Sequence, residues 1–236
     1  MTRLPVVALP GTLLDGRSLA ALLQGLDARV EMLGTASHID EEADRLAAAA
    51  GTGRAVWVGH SLGGIVALHL ALRHPQVVAG LVLLGANARA GRHGGEARRS
   101  AQWALAQQHG LKALACSKLA PGYGLSEGDD LLASLAAQAE AVGLQCFAHQ
   151  LAYQRERPGL LEPRRPLNVP VLALSGDHDL LCPPAHSDEI VALVQPPHAA
   201  RHHRLPGAGH LFPMQQPSRV AAHFNTFLAH LEEPCR

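Results

Sequence analysis

The stretch AVWVGHSLGGIVALHLALRHP, residues 55–75, decides how the chain is read. Residues 55–58 form a short apolar, partly β-branched run, the length of a strand buried inside a sheet. Residues 62–74 are rich in Leu and Ala, carry a basic last turn and stop at Pro75, which predicts a helix. Between them stand Gly59, His60, Ser61, Leu62 and Gly63. A serine in so tight a turn carries backbone strain that Asn or Gly would avoid, so its presence asks for a chemical reason. The pattern G-x-S-x-G at a strand-to-helix turn is a nucleophile elbow. The turn lifts the hydroxyl out of the sheet, and the glycines two positions to either side leave room for it.

Outward from the elbow, strand-like and helix-like segments alternate. Residues 4–11 (LPVVALPG) predict a strand, 16–26 a helix and 28–33 a strand. Residues 38–50 predict a helix with acids in its first half, where they suit the helix dipole. Strands are expected again at 79–86, 169–177 and 200–206, with helices at 186–195 and 218–233. Continuous apolar strands interleaved with helices imply an α/β fold whose parallel sheet of about six strands is covered on both faces. The rhythm breaks between residues 88 and 168, where helical segments occur with no strand. Eighty or so residues exceed a plain crossover, so the expected organisation is a core of 1–87 and 169–236 with a helical cap or lid at 88–168. The Leu and Ala of that segment, with Trp103, Tyr123, Phe147 and Tyr153, suggest an apolar acyl pocket.

A serine nucleophile needs a base, and the base needs an acid to orient it. In open parallel sheets such groups gather in loops beyond the strand ends. The loop SGDHDLLCPP follows 169–174 and offers Asp177 and Asp179; PGAGHLFP follows the last strand and offers His210. After the strand at 79–86 the chain offers only Asn87. Two backbone N–H groups must also face the developing oxyanion. One is that of Leu62, following the nucleophile, and the other is that of Thr12 in the loop LPGTLLDG after the first strand.

With LPGTLLDG, GHSLGG, PVLALSGDHDLLCPP and GAGHLFPMQQP on the page, the chain resembles the α/β-hydrolase superfamily in its small serine esterase-like branch. The resemblance covers most of the chain outside the helical insertion. It implies Ser61 as nucleophile, His210 as base and then acid, and an aspartate from the SGDHD loop. Relatives commonly show a glycine, two variable residues, an aspartate and a nearby proline. That pattern falls on Gly176, Asp179 and Pro183, and it selects Asp179, with Asp177 structuring the loop. Two departures stand out. Family members usually carry an antiparallel hairpin before the first strand, whereas only four residues precede Pro5, so a trimmed sheet is expected. Many also have His-Gly where this chain has Pro10-Gly11, which leaves the backbone donor in place. The implied activity is carboxylic ester hydrolysis through an acyl-enzyme. A thioesterase or lactonase would use the same triad, and a non-catalytic ligand-binding relative is the remaining alternative.

Composition bounds the rest. The 236 residues suit one domain, and 20 basic against 20 acidic side chains point to neither nucleic acid nor an anionic membrane. The cluster Arg89, Arg92, Arg98 and Arg99 reads as a solvated face. The scattered Cys116, Cys146, Cys182 and Cys235 suit reduced thiols, hence a cytoplasmic protein. The first residues do not form a convincing signal peptide, and no apolar run reaches membrane-spanning length. His198, His202 and His203 approach a metal-like cluster but read as surface histidines on a strand. No metal or cofactor is therefore expected. The expected partner is a small acyl substrate, and the expected state a monomer or weak homo-oligomer.

Overall fold

A computed structural model describes residues 4–91 and 95–232, so Arg92, Cys235 and the last residue of the helix expected at 218–233 lie outside the described residues. The described strands are β1 Val6–Leu9, β2 Ala28–Val30, β3 Ala55–His60, β4 Val78–Leu84, β5 Val171–Gly176 and β6 Ala200–Leu205. They form one sheet in the order β2-β1-β3-β4-β5-β6. Every pairing is parallel. β1, β3, β4 and β5 are buried at every position, which is why their sequences are apolar throughout rather than alternating. β2 and β6 stand at the edges and stay partly exposed, and β6 there tolerates Arg201, His202, His203 and Arg204.

The helices are α1 Ala20–Leu23, α2 Ile39–Ala50, α3 Leu62–Arg73, α4 Glu96–Leu114, α5 Ala120–Gly122, α6 Leu131–Val142, α7 Leu144–Glu156, α8 Pro184–Val191, α9 Phe212–Gln215 and α10 Pro217–Glu232. Successive strand side chains point to opposite faces, so two cores result. Val7, Trp57, Leu81 and Val171 pack with Leu46 of α2, Leu70 of α3 and Ile190 of α8. Val6, Val58, Val82 and Leu172 pack on the other face with Leu22 of α1 and with Val220 and Phe224 of α10. The helix expected at 16–26 is broken into a 3-10 turn at Gly16–Ser18 and the single turn of α1. The cause is local: Asp15 caps the 3-10 turn by accepting from Arg17 N, and Gly25 leaves the helix at φ +78°. No single described helix is long and apolar enough to cross a membrane.

Between β4 and β5 the described residues hold helices and no strand, as expected, and a π-helical turn at Ala115–Leu119 leads into α5. Its Leu and Ala residues form a third core. Leu114, Leu135 and Phe147 pack there against Leu13, Leu14 and Leu211 from the loops beyond the strands. Polar ties add to this packing. The Tyr153 hydroxyl of α7 lies 2.6 Å from the Ala36 carbonyl and 2.9 Å from Glu42 Oε2, and the fully buried Glu42 also holds Arg45 at 2.8 Å. Replacing Tyr153 by Phe removes a hydrogen bond from this buried group, and stability in urea unfolding should fall by about 1–3 kcal/mol. A change below about 0.5 kcal/mol would show that the Tyr153 hydroxyl does not help to hold the insertion.

Candidate active site

The strand order reverses between β1 and β3, since the chain runs outward from β1 to β2 and then returns to the other side. Loops leaving adjacent strands at such a switch point splay apart and open a crevice at the carboxyl ends. The register makes neighbours of Leu9 and Gly59, of His60 and Leu84, and of Gly176 and Leu205. Thr12, Ser61, Asn87, Asp179 and His210 therefore leave five successive strand ends on one edge of the sheet.

Ser61 sits at φ +52° and ψ −115°, a conformation rare for a residue with a side chain. Its N–H donates to the Leu84 carbonyl at 2.8 Å, and its carbonyl accepts from Ile65 N at 3.1 Å as α3 begins. The flanking glycines are needed for close approach. A Cβ on Gly59 would lie 2.4 Å from the Gly64 backbone, and one on Gly63 would lie 2.0 Å from the Leu9 carbonyl oxygen. Methyl groups cannot occupy either place without moving β1 or β3 away from α3.

The structure brings Ser61, His210 and Asp179 together. His210 Nε2 lies 2.9 Å from Ser61 Oγ, and Nδ1 lies 2.7 Å from Asp179 Oδ2. Asp179 is 2 % exposed, and its other oxygen accepts from the N–H groups of Leu181 at 2.9 Å and Cys182 at 2.8 Å. Burial alone would push this carboxyl up. The hydrogen bond and charge of His210, with the two backbone donors, outweigh burial and leave it below the ordinary carboxylate range. An ionised carboxylate only accepts, so Nδ1 carries the proton and Nε2 turns its lone pair toward the serine hydroxyl. Asp177 is elsewhere: it is exposed and accepts from Ala208 N at 3.2 Å, bracing the loop that carries His210. Behind the ring, the buried His60 donates from Nε2 to the His210 carbonyl at 3.0 Å, and Tyr123 stacks on its face at 5.4 Å.

Thr12 and Leu62 line the same crevice as Ser61, and neither backbone N–H has an acceptor among the described residues. The loop bearing Thr12 is strained, with Leu13 at φ +54°, and it is held from the helical insertion. Gln150 accepts from Leu13 N at 3.0 Å and donates to the Leu33 carbonyl at 3.1 Å. Gln138 accepts from Asp15 N at 3.1 Å, and Gln154 donates to Thr12 Oγ1 at 3.0 Å. Sequence reasoning missed these three glutamines. Their only trace was a Gln pair four residues apart on α7, between positions that are otherwise core.

Ser61 opens into a cavity of about 270 Å³. Its walls are mixed rather than wholly apolar: Leu62, Ile65, Leu119 and Leu181 alternate with Arg98, Lys118 and Arg157, while most Leu and Ala side chains of the insertion turn into the third core. Phe147 and Tyr153 are fully buried, Trp103 faces a separate surface depression, and only Tyr123 of the four aromatics lines the cavity. The arginine cluster also differs from a plain solvated face: Arg89 pairs with Glu189, while Arg98 lines the cavity. His202 is not a surface histidine, for its 7 %-exposed side chain bridges Ser175 and Asp188. Among the described residues no group of His, Cys, Asp and Glu is arranged to hold a metal, and Cys116, Cys146 and Cys182 are unpaired.

The same fold recurs in known proteins. The model of the alpha/beta hydrolase family matches residues 5–223. A 78-residue stretch is 44 % identical to Lipase LipV of Mycobacterium tuberculosis, covering 33 % of this chain and 26 % of that protein, so the match spans only about a quarter of the relative. A thermophilic esterase from Thermogutta terrifontis, solved with malate bound, superposes with a TM-score of 0.85 at 23 % identity, covering 98 % of this chain and 92 % of its own. The enol-lactonase from Burkholderia xenovorans LB400 does so with a TM-score of 0.78 at 23 % identity, over 97 % and 92 % of the two chains. At such identity the structural likeness speaks for the fold.

His60 generates a test of the site's packing. Burial, reinforced by the charge of His210, pushes it from its ordinary value of 6.5 down to about 3, so it is neutral in the folded protein. Between those values the unfolded chain binds a proton that the folded chain refuses. Stability is therefore undiminished above pH 6.5 and is lost as the pH falls toward 3. His60→Gln keeps a donor for the His210 carbonyl but cannot titrate. Its urea-unfolding free energy should fall less steeply than that of the parent between about pH 6 and 4.5, by up to about 1.4 kcal/mol per pH unit. Equal slopes would show that His60 is protonated in the native state.

Proposed function

The chain belongs to the alpha/beta hydrolase family, and from that premise we propose that it is a serine hydrolase cleaving a carboxylic ester through an acyl-enzyme. The observation that carries this reading is the relay from Ser61 Oγ through His210 to Asp179, with contacts of 2.9 and 2.7 Å, at the mouth of a cavity. In the proposed cycle Ser61 Oγ attacks the ester carbonyl carbon as His210 Nε2 takes its proton. The carbonyl oxygen becomes an oxyanion between the N–H groups of Thr12 and Leu62, which are free to donate to it. Asp179 stabilises the imidazolium. When the C–O bond breaks, His210 returns the proton to the leaving alcohol. Water then repeats the sequence on the acyl-serine, releasing the acid and restoring Ser61.

The helical insertion serves in this reading as a cap, supplying Tyr123, Gln154 and other walls to the cavity. The names of the Thermogutta terrifontis esterase and of Lipase LipV accord with ester chemistry. The same steps would open a lactone, the chemistry in the name of the Burkholderia xenovorans neighbour.

Turnover of a short p-nitrophenyl ester tests the roles. Ser61→Ala should lose about 10⁴-fold or more in kcat while keeping the parent circular dichroism. Asp179→Asn should lose about 10⁴-fold, because an amide that donates to Nδ1 holds the imidazole in the wrong tautomer. Asp177→Asn, which disturbs only the Ala208 contact, should lose less than about tenfold and show its main effect in stability. A folded Asp177→Asn protein that is the slower of the two would overturn the choice of acid.

A further inference from the structure

The cavity beside Ser61 carries three cationic side chains, Arg98, Lys118 and Arg157, and no carboxylate among its lining residues. None of the three has a carboxylate within ion-pair distance among the described residues. Elsewhere arginines of this chain do find acids: Arg45 pairs with Glu31 and Glu42, Arg73 with Asp40 and Asp44, Arg89 with Glu189 and Arg204 with Asp188. Other cations of the chain, such as Arg54 and Arg201, also lack an acid partner among the described residues. What sets Arg98, Lys118 and Arg157 apart is that they share the cavity beside Ser61 with no carboxylate in its wall.

Arg157 is the inner member. It is half-buried just beyond α7 and is held by neutral acceptors only: Nε donates to the Arg89 carbonyl at 3.0 Å, Nη1 to the Gln154 carbonyl at 3.1 Å and Nη2 to Asn87 Oδ1 at 3.4 Å. These contacts fix the guanidinium plane and leave part of its five-donor fork unused. They also place it next to the catalytic loop, since Gln154 in turn donates to Thr12 Oγ1 at 3.0 Å. Burial lowers its pKa to about 10, so it stays cationic at neutral pH while lacking a counter-charge. A cation removed from water without a partner is unfavourable, and an anion delivered by the ligand relieves that cost. Arg98 and Lys118 are exposed at the rim, where they raise the local concentration of anions.

Resting on the reading of Ser61 as an ester-cleaving nucleophile, we propose that the substrate is itself an anion: the half-ester of a short dicarboxylic acid, whose free carboxylate is received by Arg157 and guided in by Arg98 and Lys118. A planar carboxylate matches the guanidinium fork with two parallel hydrogen bonds, and a cavity of about 270 Å³ suits a short chain. The bonds made and broken are those of ordinary ester hydrolysis, with the second carboxylate a spectator.

The test compares 4-nitrophenyl hydrogen glutarate with its neutral isostere, 4-nitrophenyl 4-carbamoylbutanoate. Binding is measured by calorimetry on Ser61→Ala protein, where no turnover intervenes. The carboxylate ester should bind about 10- to 100-fold more tightly at low salt, the worth of a charge-assisted hydrogen-bonded pair. Adding Arg157→Gln should shrink that ratio to about threefold or less, and raised ionic strength should shrink it in part. Should Arg157→Gln fail to fold, the double variant Arg98→Gln and Lys118→Gln, altered only at exposed positions, should still reduce the ratio and its salt dependence. Equal affinities for the two esters, or a preference untouched by these variants, overturns the proposal. The hydrolase reading fails separately, as an absence of turnover of both esters by the parent protein while the binding preference persists.

Discussion

The Ser61 N–H donates to the Leu84 carbonyl while its own backbone stands at φ +52°, so the last ladder contact between β3 and β4 is made by a residue already turning into α3. A chain in that conformation has little room. β1 lies against Gly63 and the start of α3 lies against Gly59, both within distances that exclude a Cβ. The turn also directs the positions of the remaining groups. Gly85, at the end of β4, faces the carboxylate of Asp179, and a Cβ there would stand 3.1 Å from Oδ2. Gly176, at the end of β5, passes so near the Ala208 carbonyl that a Cβ would lie 2.2 Å from it. The loops that carry acid and histidine are thus packed backbone to backbone, and His210 reaches Ser61 with little freedom to miss it.

What sequence made legible follows from how far each signal travels along the chain. The strand, turn and helix about Ser61 are local, written in consecutive residues by β-branching, glycine spacing and the stop at Pro75. Asp179 and His210 were reachable because parallel strands place their outgoing loops on one edge, so chain order alone nominated them. Asp177 and Asp179 could not be separated by that logic without a resemblance to the family. The difference lies in where each side chain turns, toward His210 or toward Ala208 N. The helical insertion was legible as helix and not as architecture. Its composition suggested an apolar pocket, yet most of those side chains enter a core shared with Leu13, Leu14 and Leu211, and only Leu119 and Tyr123 among them also reach the cavity. A third core of this kind depends on contacts between residues far apart in the chain, which no periodicity records.

That core explains how the insertion and the catalytic loop act as one unit. Leu13, strained and fully buried, packs among the helices, and Gln150 holds its N–H from α7. Gln138 does the same for the Asp15 N–H, and Gln154 donates to the Thr12 hydroxyl. The segment proposed to supply one oxyanion donor is therefore positioned from outside the sheet by amide side chains, two of which, Gln138 and Gln150, are hydrogen-bonded through both oxygen and nitrogen. Neutral amides suit this task because they satisfy the polar groups of the loop without placing a charge beside Ser61. The insertion also lends the cavity wall Arg98, Lys118, Arg157 and Tyr123, with Gln154 lining it as well. Shape and charge at the site are in this way set largely by the part of the chain that the sheet does not determine.

The covalent step is the centre of the proposed mechanism, and it would leave a mass. Parent protein mixed with a p-nitrophenyl ester, quenched with acid within milliseconds and digested for mass spectrometry, should yield the peptide containing Ser61 heavier by the acyl group. The adduct should form with the burst of p-nitrophenol and vanish as substrate is exhausted. Hydrolysis that proceeds with no acylated peptide at any time, or with the acyl group on another side chain, would contradict Ser61 as the nucleophile.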